Sequence, residues 1–197
     1  MDFGQPFGGL IPGAQGAVLS ALLRTGIPLT GRQVHGLVSD RHSLWTVQEA
    51  LKSLHAIGLI HTEVVGRAGV HTINDDHVAV LHLRALVDPA QMLREVVATQ
   101  VDPQVESVLV FGSVARGEAT AHSDVDLAVI AQANWDGRID LEDAVRSRLG
   151  NDCDVLTFTV AEFAQLANSN EPIVAEILRD GIALIGSAPQ LLAGSSR

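Results

Sequence analysis

Two aspartates separated by a single residue, Asp124 and Asp126, are the clearest candidates for chemistry in this sequence. They stand at the start of an apolar run of strand length, and side chains alternate across a strand, so both carboxylates should lie on the same side. Two like charges held close together are costly unless a cation lies between them. Mg²⁺ prefers hard oxygen ligands and shares them with substrate phosphates, so it is the expected ion.

A Gly-Ser turn, Gly112-Ser113, follows a second apolar run, and ten residues separate it from Asp124. Glycine lets the backbone approach a phosphate closely, and the Ser113 hydroxyl and the first amides of a following helix can donate to phosphate oxygens. Arg116 can either add charged donors to the phosphate or pair with a neighbouring carboxylate. The Gly-Ser turn and the two aspartates together predict a site for a triphosphate and its metal.

The segment VESVLVFGSVARGEATAHSDVDLAVI, residues 105–130, has the pattern of a strand, a turn, a short helix and a second strand. Gly112-Ser113, Arg116-Gly117 and Asp124-x-Asp126 in this arrangement resemble the signature of the minimal nucleotidyltransferases of the DNA polymerase beta superfamily. The resemblance covers about residues 90–186. The alternative is a solvated turn beside an ordinary helix start.

This resemblance implies an enzyme that moves a nucleoside monophosphate from a nucleoside triphosphate, in the first instance ATP, to a hydroxyl group. Asp124 and Asp126 would be catalytic and would hold two Mg²⁺ ions with a third carboxylate on a neighbouring strand. Asp154 and Asp152 both precede the apolar run Val155–Phe158, and Asp154 is preferred because it precedes that run directly. Gly112, Ser113 and Arg116 would bind the nucleotide.

The first part of the chain has a different pattern. Apolar spacings predict helices over residues 14–24, from Thr30 to Val38 and from Ser43 to Ile57, with Thr30 and Ser43 as caps. A hairpin over residues 59–73 follows, with its turn at 66–69. Three helices and a hairpin resemble a winged helix-turn-helix over residues 14–78.

If that resemblance holds, the third helix and the hairpin tip supply the surface for DNA. The residues expected there are Ser43, Trp45, Thr46, Gln48, Glu49, Lys52 and Arg67. Winged helices also serve as dimerisation or protein-docking modules, so DNA binding and docking stay open as alternatives. The chain's net charge of -10 disfavours a surface-wide contact with nucleic acid and leaves only a local one.

The predicted fold is α/β (α+β) with two domains: an N-terminal winged helix and a C-terminal polymerase-beta-like mixed sheet with flanking helices. The predicted ranges are a leader 1–13, the winged helix 14–78, a connecting helix 79–88, the nucleotidyltransferase domain 89–186 and a mobile tail 187–197. Charge is unevenly divided, at about -1 for residues 1–88 and about -9 for the remainder.

The cellular location of the protein and the state of its cysteine can be predicted from its cysteine count and its apolar segments. The single cysteine, Cys153, cannot form an internal disulfide and is expected to be a small buried core residue. The Gly- and Pro-broken N-terminus is a poor signal peptide, and no apolar run reaches the length of a membrane span. A cytoplasmic protein without a membrane partner is expected.

Three functions fit these features. No large helical domain follows the core, so the acceptor site would come from a second copy of the chain in a homodimer, from the winged helix or from another protein. Minimal nucleotidyltransferases are often antitoxins that adenylylate a partner toxin, which is the leading hypothesis. The alternative is a transcriptional regulator that binds operator DNA and senses nucleotide without turnover. Adenylylation of a small molecule is disfavoured because a domain to bind it is missing.

Overall fold

The structure is a computed structural model that describes residues 1–190; residues 191–197 of the predicted tail lie outside the described residues. Contacts divide the chain into two compact units, residues 5–89 and residues 1–4 together with the chain from Ala90 onward. The first four residues, which the sequence places in a leader, therefore pack with the second unit. Within residues 1–190, no helix has both the length and the apolar character needed to cross a membrane.

The first unit consists of helices around an apolar core and a small antiparallel sheet of order β1-β3-β2. After a 3-10 turn at Pro6–Gly9, its elements are α1 Gly13–Thr25, β1 Leu29–Thr30, α2 Gly31–Val38, α3 Leu44–Ala56, β2 Ile60–Val65, β3 Ala68–Ile73 and α4 Val80–Leu86.

Side-chain caps set the starts of helices α2 and α3. Thr30 accepts a hydrogen bond from the Gln33 amide and Ser43 accepts one from the Thr46 amide, which confirms both predicted caps. Helix α4 begins at Val80, after a turn. Asn74 holds a turn there, because its side chain accepts from the Asp76 amide and its carbonyl accepts from the His77 amide.

The second unit is a mixed sheet of order β6-β5-β4-β7 between helices. Strands β5 and β6 are parallel, whereas β4 is antiparallel to both β5 and β7. The elements are α5 Pro89–Ala98, β4 Val105–Phe111, α6 Gly112–Ala115, β5 Val125–Ala131, α7 Arg138–Leu149, β6 Cys153–Phe158, α8 Val160–Asn168, α9 Pro172–Asp180 and β7 Ile182–Ile185.

Apolar side chains fill both faces of this sheet. On one face, Val125, Leu127 and Val129 of β5 pack with α5 and α7. On the other face, Ala128 and Ile130 pack with α8 and α9. Because side chains alternate along a strand, even-numbered positions of β5 and β6 face α8 and α9, and the aspartates at 124, 126 and 154 share that parity.

Beyond β7, the last described residues are held to this unit by hydrogen bonds. The Ser187 amide donates to the Ser107 hydroxyl at 2.9 Å, and the Gln190 side chain donates to the Leu178 carbonyl at 2.7 Å. Residues 187 to 190 of the predicted tail are therefore attached to the sheet and to α9.

Candidate active site

Asp126 and Asp154 are register partners in the parallel pair of β5 and β6. Neighbouring strands lie about 4.8 Å apart, so the two carboxylates project side by side from the same face. Asp124 shares this parity but comes just before β5, which begins at Val125, and it is exposed to solvent. All three acids therefore stand at one end of the sheet, where β5 and β6 both begin.

Gly112 follows β4 directly at the same end of the sheet. Its φ is +66°, a left-handed conformation that side chains other than glycine rarely adopt. A Cβ at this position would overlap the Asp126 carboxylate. Glycine is therefore required at position 112 for two reasons: its backbone angle, and the space that the Asp126 carboxylate occupies. Ser113, the next residue, is half-buried within the short helix α6, and its backbone carbonyl accepts a hydrogen bond from the Glu118 amide at 2.9 Å.

The charge around Asp126 is unbalanced. Burial raises the pKa of its carboxyl, and the charges of Asp154, Asp124 and Glu176 raise that pKa further, while Arg116 opposes them. Net negative charge at a partly buried carboxylate indicates a place where a cation would be stabilised. The arrangement is thus electrostatically suited to a positive ion.

The donor set fits a divalent ion in its chemistry and its backbone placement. Carboxylate oxygens are the ligands that Mg²⁺ prefers. Within residues 1–190, no three His, Cys, Asp or Glu side chains are yet close enough together to hold a metal. Asp126 and Asp154 are paired on neighbouring strands, and Asp124 lies two residues before Asp126. Asp124, Asp126 and Asp154 are the residues that would hold the ion.

Arg116 is occupied by carboxylates. Its Nε lies 2.9 Å from Glu118 and its Nη1 lies 2.8 Å from Glu176, with Asp180 at 3.7 Å. Of the two roles expected from the sequence, pairing with neighbouring acids is the one present in this structure. The Arg116–Glu176 contact joins α6, which begins at Gly112, to α9.

Asp152 differs from Asp154 in what it contacts. Its carboxylate pairs with Arg146 of α7 at 2.8 Å, and it lies in the loop before β6. Asp154 lies within β6 and is exposed. The expectation that Cys153 is a core residue is confirmed: its thiol is free and buried, and burial raises its pKa to about 12.

In the N-terminal unit, a cleft of about 790 Å³ lies between α3 and the β2–β3 hairpin. Three of the residues predicted to contact DNA line it, namely Gln48, Lys52 and Arg67. The others, Ser43, Trp45, Thr46 and Glu49, do not, although Trp45 at the start of α3 is 70% exposed. Lys52 also forms an ion pair with Glu49 at 2.7 Å.

Two residues at the site could not be predicted from the sequence. Glu176 reaches Arg116 from 60 positions along the chain, and only the packing of α9 brings it there. Asn151 is buried and its side-chain amide donates to the carbonyl of Ser123, the residue before Asp124. Neither belongs to a recognisable motif, so only the three-dimensional structure identifies them.

Comparison with solved structures gives weak overall similarity. The chain is 20% identical to a toxin-antitoxin complex with AMP-PNP, covering 54% of this chain and 82% of that chain with a TM-score of 0.41. It is 19% identical to a complex of tri-AMPylated Shewanella oneidensis HEPN toxin with MNT antitoxin, covering 53% and 80% with a TM-score of 0.36. It is 25% identical to a structure of the DNA recognition and protein interaction domains of HOP2, covering 32% and 100% with a TM-score of 0.30.

Comparison of sequences is more informative. No curated protein matches the chain. The family model described as polymerase beta, nucleotidyltransferase matches residues 91–190, which include the Gly-Ser turn and all three aspartates. This range is just over half of the chain and coincides with the mixed sheet and its helices. The chain therefore belongs to the polymerase beta nucleotidyltransferase family.

Proposed function

We propose that this protein transfers a nucleoside monophosphate, AMP from ATP, to a hydroxyl group on a partner protein. The observation that carries the proposal is the pairing of Asp126 with Asp154 on neighbouring strands beside the Gly112-Ser113 turn, with Asp124 two residues before Asp126. Carboxylates next to a glycine turn provide the two things that a nucleoside triphosphate needs, ligands for its metal and room for its phosphates.

Each residue has a role in this proposal. Asp124, Asp126 and Asp154 hold divalent metal, two Mg²⁺ ions in the full arrangement, and Gly112 and Ser113 bind the β- and γ-phosphates through backbone amides and the hydroxyl. Bound metal would offset phosphate charge and make the acceptor hydroxyl easier to deprotonate. Arg116 would join the phosphate contacts by exchanging its carboxylate partners for phosphate oxygens.

In the transfer, the acceptor oxygen forms a bond to the α-phosphorus as the bond from that phosphorus to pyrophosphate breaks. Asp154, which is exposed at the edge of the site, accepts the proton of the hydroxyl. Pyrophosphate leaves with the electron pair of the broken bond. The protein contributes position and charge rather than covalent chemistry.

A protein acceptor is favoured for two reasons. Asp124 and Asp154 are exposed, so a hydroxyl on a macromolecule can reach them. The family resemblance points the same way, because minimal nucleotidyltransferases are often antitoxins that adenylylate a toxin. We therefore propose a cognate toxin as the acceptor.

The test uses ATP labelled in either of two positions. The protein is incubated with Mg²⁺, with and without the product of any adjacent gene, and with ATP labelled at the α- or the γ-phosphate. Nucleotidyl transfer leaves α-label on the acceptor and releases γ-label as pyrophosphate, and Asp126→Asn abolishes it. Retention of γ-label on the acceptor would indicate phosphoryl transfer and contradict the proposal, as would the absence of any labelled product.

A second function, DNA binding by the N-terminal unit as a winged helix, is favoured by the cleft between α3 and the hairpin. Among the described residues that line this cleft, the charged and ionisable ones are all basic: Arg32, Lys52, Arg67, His55 and His71. A local basic surface on a chain of net charge -10 suits the phosphate backbone of nucleic acid. We propose operator DNA as the ligand, so that an antitoxin would also regulate its own expression.

Substitution of the cleft cations tests this second function. Lys52→Ala with Arg67→Ala is expected to weaken DNA binding by at least about tenfold and to reduce the slope of log K against log[salt] by about one per lost phosphate contact. Arg24→Ala, an exposed arginine at the end of α1 that does not line the cleft, is the matched control. Equal affinity of the double variant and the control would instead make the unit a docking module.

A further inference from the structure

Asn151 is a buried polar residue with every hydrogen-bonding group of its side chain in use. It is 3% exposed and lies between α7 and β6. Its amide nitrogen donates to the carbonyls of Ser123 at 3.1 Å and Met1 at 3.0 Å, and its oxygen accepts from the Met1 amine at 2.6 Å. A buried amide that is fully bonded holds its partners in one arrangement.

The Ser123 contact matters because Asp124 lies outside regular structure. Strand β5 begins only at Val125, and the loop from Arg116 to Asp124 is largely exposed. Two hydrogen bonds tie the end of this loop to the rest of the unit, one from Asn151 to Ser123 and one from the Val125 amide to the Asp152 carbonyl at 2.9 Å. Both connect to the segment that leads directly into Asp154.

We infer that Asn151 is a positioning residue that sets the distance between Asp124 and Asp154 for a shared divalent cation. The inference rests on the proposed metal-dependent function of this site. Asn151 fastens the segment that carries Asp124 to the segment that carries Asp154. It lies two residues before the start of β6, the strand that contains Asp154. The residue acts through the backbone of Ser123 and touches neither metal nor substrate.

A tether is needed because the carboxylates repel one another. Without the hydrogen bond to Ser123, the exposed loop can relax and carry Asp124 away from the other two acids. Metal coordination tolerates errors of only a few tenths of an ångström in ligand placement. Groups that orient metal ligands from outside the coordination sphere typically change metal affinity by roughly tenfold to a hundredfold when removed.

The N-terminal residues support the same loop from a second point. Phe3 packs against the core between the sheet and helices α5 and α7, and the backbone of Gly4 lies so close to the Ala119 carbonyl that a Cβ would overlap it. Asn151 bonds to Met1 at the start of this segment. The loop before Asp124 is thus held near Ala119 and at Ser123, with Asn151 at the junction.

The test compares Asn151→Ala with a matched control, Ser107→Ala. Ser107 is also buried and polar, and its hydroxyl accepts a hydrogen bond from the Ser187 amide far from the aspartates along β4. Both variants lose a buried tether and should unfold at lower temperature. Only Asn151→Ala should weaken Mn²⁺ binding to the nucleotide-free protein, by roughly tenfold to a hundredfold.

Nucleotide transfer gives a second readout. Raising the Mg²⁺ concentration should restore the rate of Asn151→Ala towards that of the wild type, whereas Asp126→Asn should stay inactive at any concentration. If Asn151→Ala does not fold, Asn151→Ser, which loses the reach to Ser123 but keeps a polar group, is judged by the same measurements.

The outcomes separate this inference from the proposed function. Wild-type protein that neither binds Mn²⁺ nor transfers nucleotide would overturn the proposed function. Wild-type protein that does both, together with a folded Asn151 variant of equal Mn²⁺ affinity and equal Mg²⁺ requirement, would overturn the positioning role alone. A loss of Mn²⁺ affinity in Ser107→Ala as large as that in Asn151→Ala would also overturn it, because the effect would then follow general stability.

Discussion

The Asp126 carboxylate lies against the backbone of Gly112, in the space that a side chain at position 112 would fill. Two sequence features that are fourteen residues apart are therefore in direct contact. The contact joins the turn after β4 to an aspartate of β5, since Phe111 and Asp126 are register partners. The Gly-Ser turn and the acidic group lie together because of this pairing.

Gly112→Ala is expected to disturb the site beyond its cost in backbone strain. Gly112 and Gly117 both have positive φ, but a Cβ would meet nothing within 4 Å at Gly117. Gly117→Ala should lower the free energy of unfolding by about 1–2 kcal/mol from strain alone. Gly112→Ala should cost more and should also abolish nucleotide binding, because the new methyl group displaces Asp126. Chemical denaturation and ATP binding measure the two effects, and equal behaviour of the two variants would contradict the expectation.

Asp154 and Asp152 can be distinguished by matched substitutions. Asp154→Asn and Asp126→Asn should each reduce nucleotide transfer by at least about a hundredfold, because each removes a charged group of the proposed reacting centre. Asp152→Asn should leave the rate nearly unchanged and lower the free energy of unfolding by at most about 1 kcal/mol, since it breaks an exposed ion pair with Arg146. Initial rates of nucleotide transfer measured with labelled ATP test this prediction. A larger loss of rate in Asp152→Asn than in Asp154→Asn would make Asp152 the third acid.

The Arg116 network gives a prediction about nucleotide affinity. If Arg116 leaves its carboxylates to bind triphosphate, Glu176→Gln should tighten ATP binding severalfold by removing a competitor, and Arg116→Ala should weaken it. The matched change Glu118→Gln should also tighten ATP binding, because Glu118 also pairs with Arg116. Calorimetric titration with ATP measures all three. Unchanged affinity in every variant would leave Arg116 as a link between α6 and α9 only.

Much of the site could be predicted because its parts are local. Gly112, Ser113, Asp124 and Asp126 fall within one strand–turn–strand segment, where residue spacing determines which side chains share a face. Helix caps at Thr30 and Ser43 are equally local, since each depends on residues three positions apart.

What could not be predicted depends on pairing across long distances in the chain. Strand β1 has two residues and exists only because Leu29 and Thr30 pair with β3. Helix α7 has charged residues on every side, so no apolar stripe in the sequence predicts which face is buried. Its buried residues are Leu141, Ala144 and Val145. Glu176 and Asn151 enter the site through tertiary packing, which no local spacing encodes.

Acid sensitivity should depend in part on the start of helix α8. The Thr159 amide and hydroxyl both donate to the Glu162 carboxylate at 2.8 Å, and the Glu162 amide donates back to the Thr159 hydroxyl at 3.2 Å. The backbone hydrogen bond from Thr159, followed by the one from its hydroxyl, lowers the pKa of Glu162 from its ordinary value of 4.5. Thr159→Ala should lower the free energy of unfolding by about 1 kcal/mol through loss of the cap.

The sign of the pH dependence follows from this lowered pKa. A carboxyl with a lower pKa in the folded state binds fewer protons there than in the unfolded state, so it stabilises the fold at pH values above 4.5. That stabilisation is lost as the pH falls below 4.5 and through the lower folded pKa. Wild type should therefore be more stable than Glu162→Ala at pH 7, and the difference should shrink on acidification. Denaturation curves recorded between pH 7 and pH 3 measure this difference, and a difference that stays constant over that range would contradict the prediction.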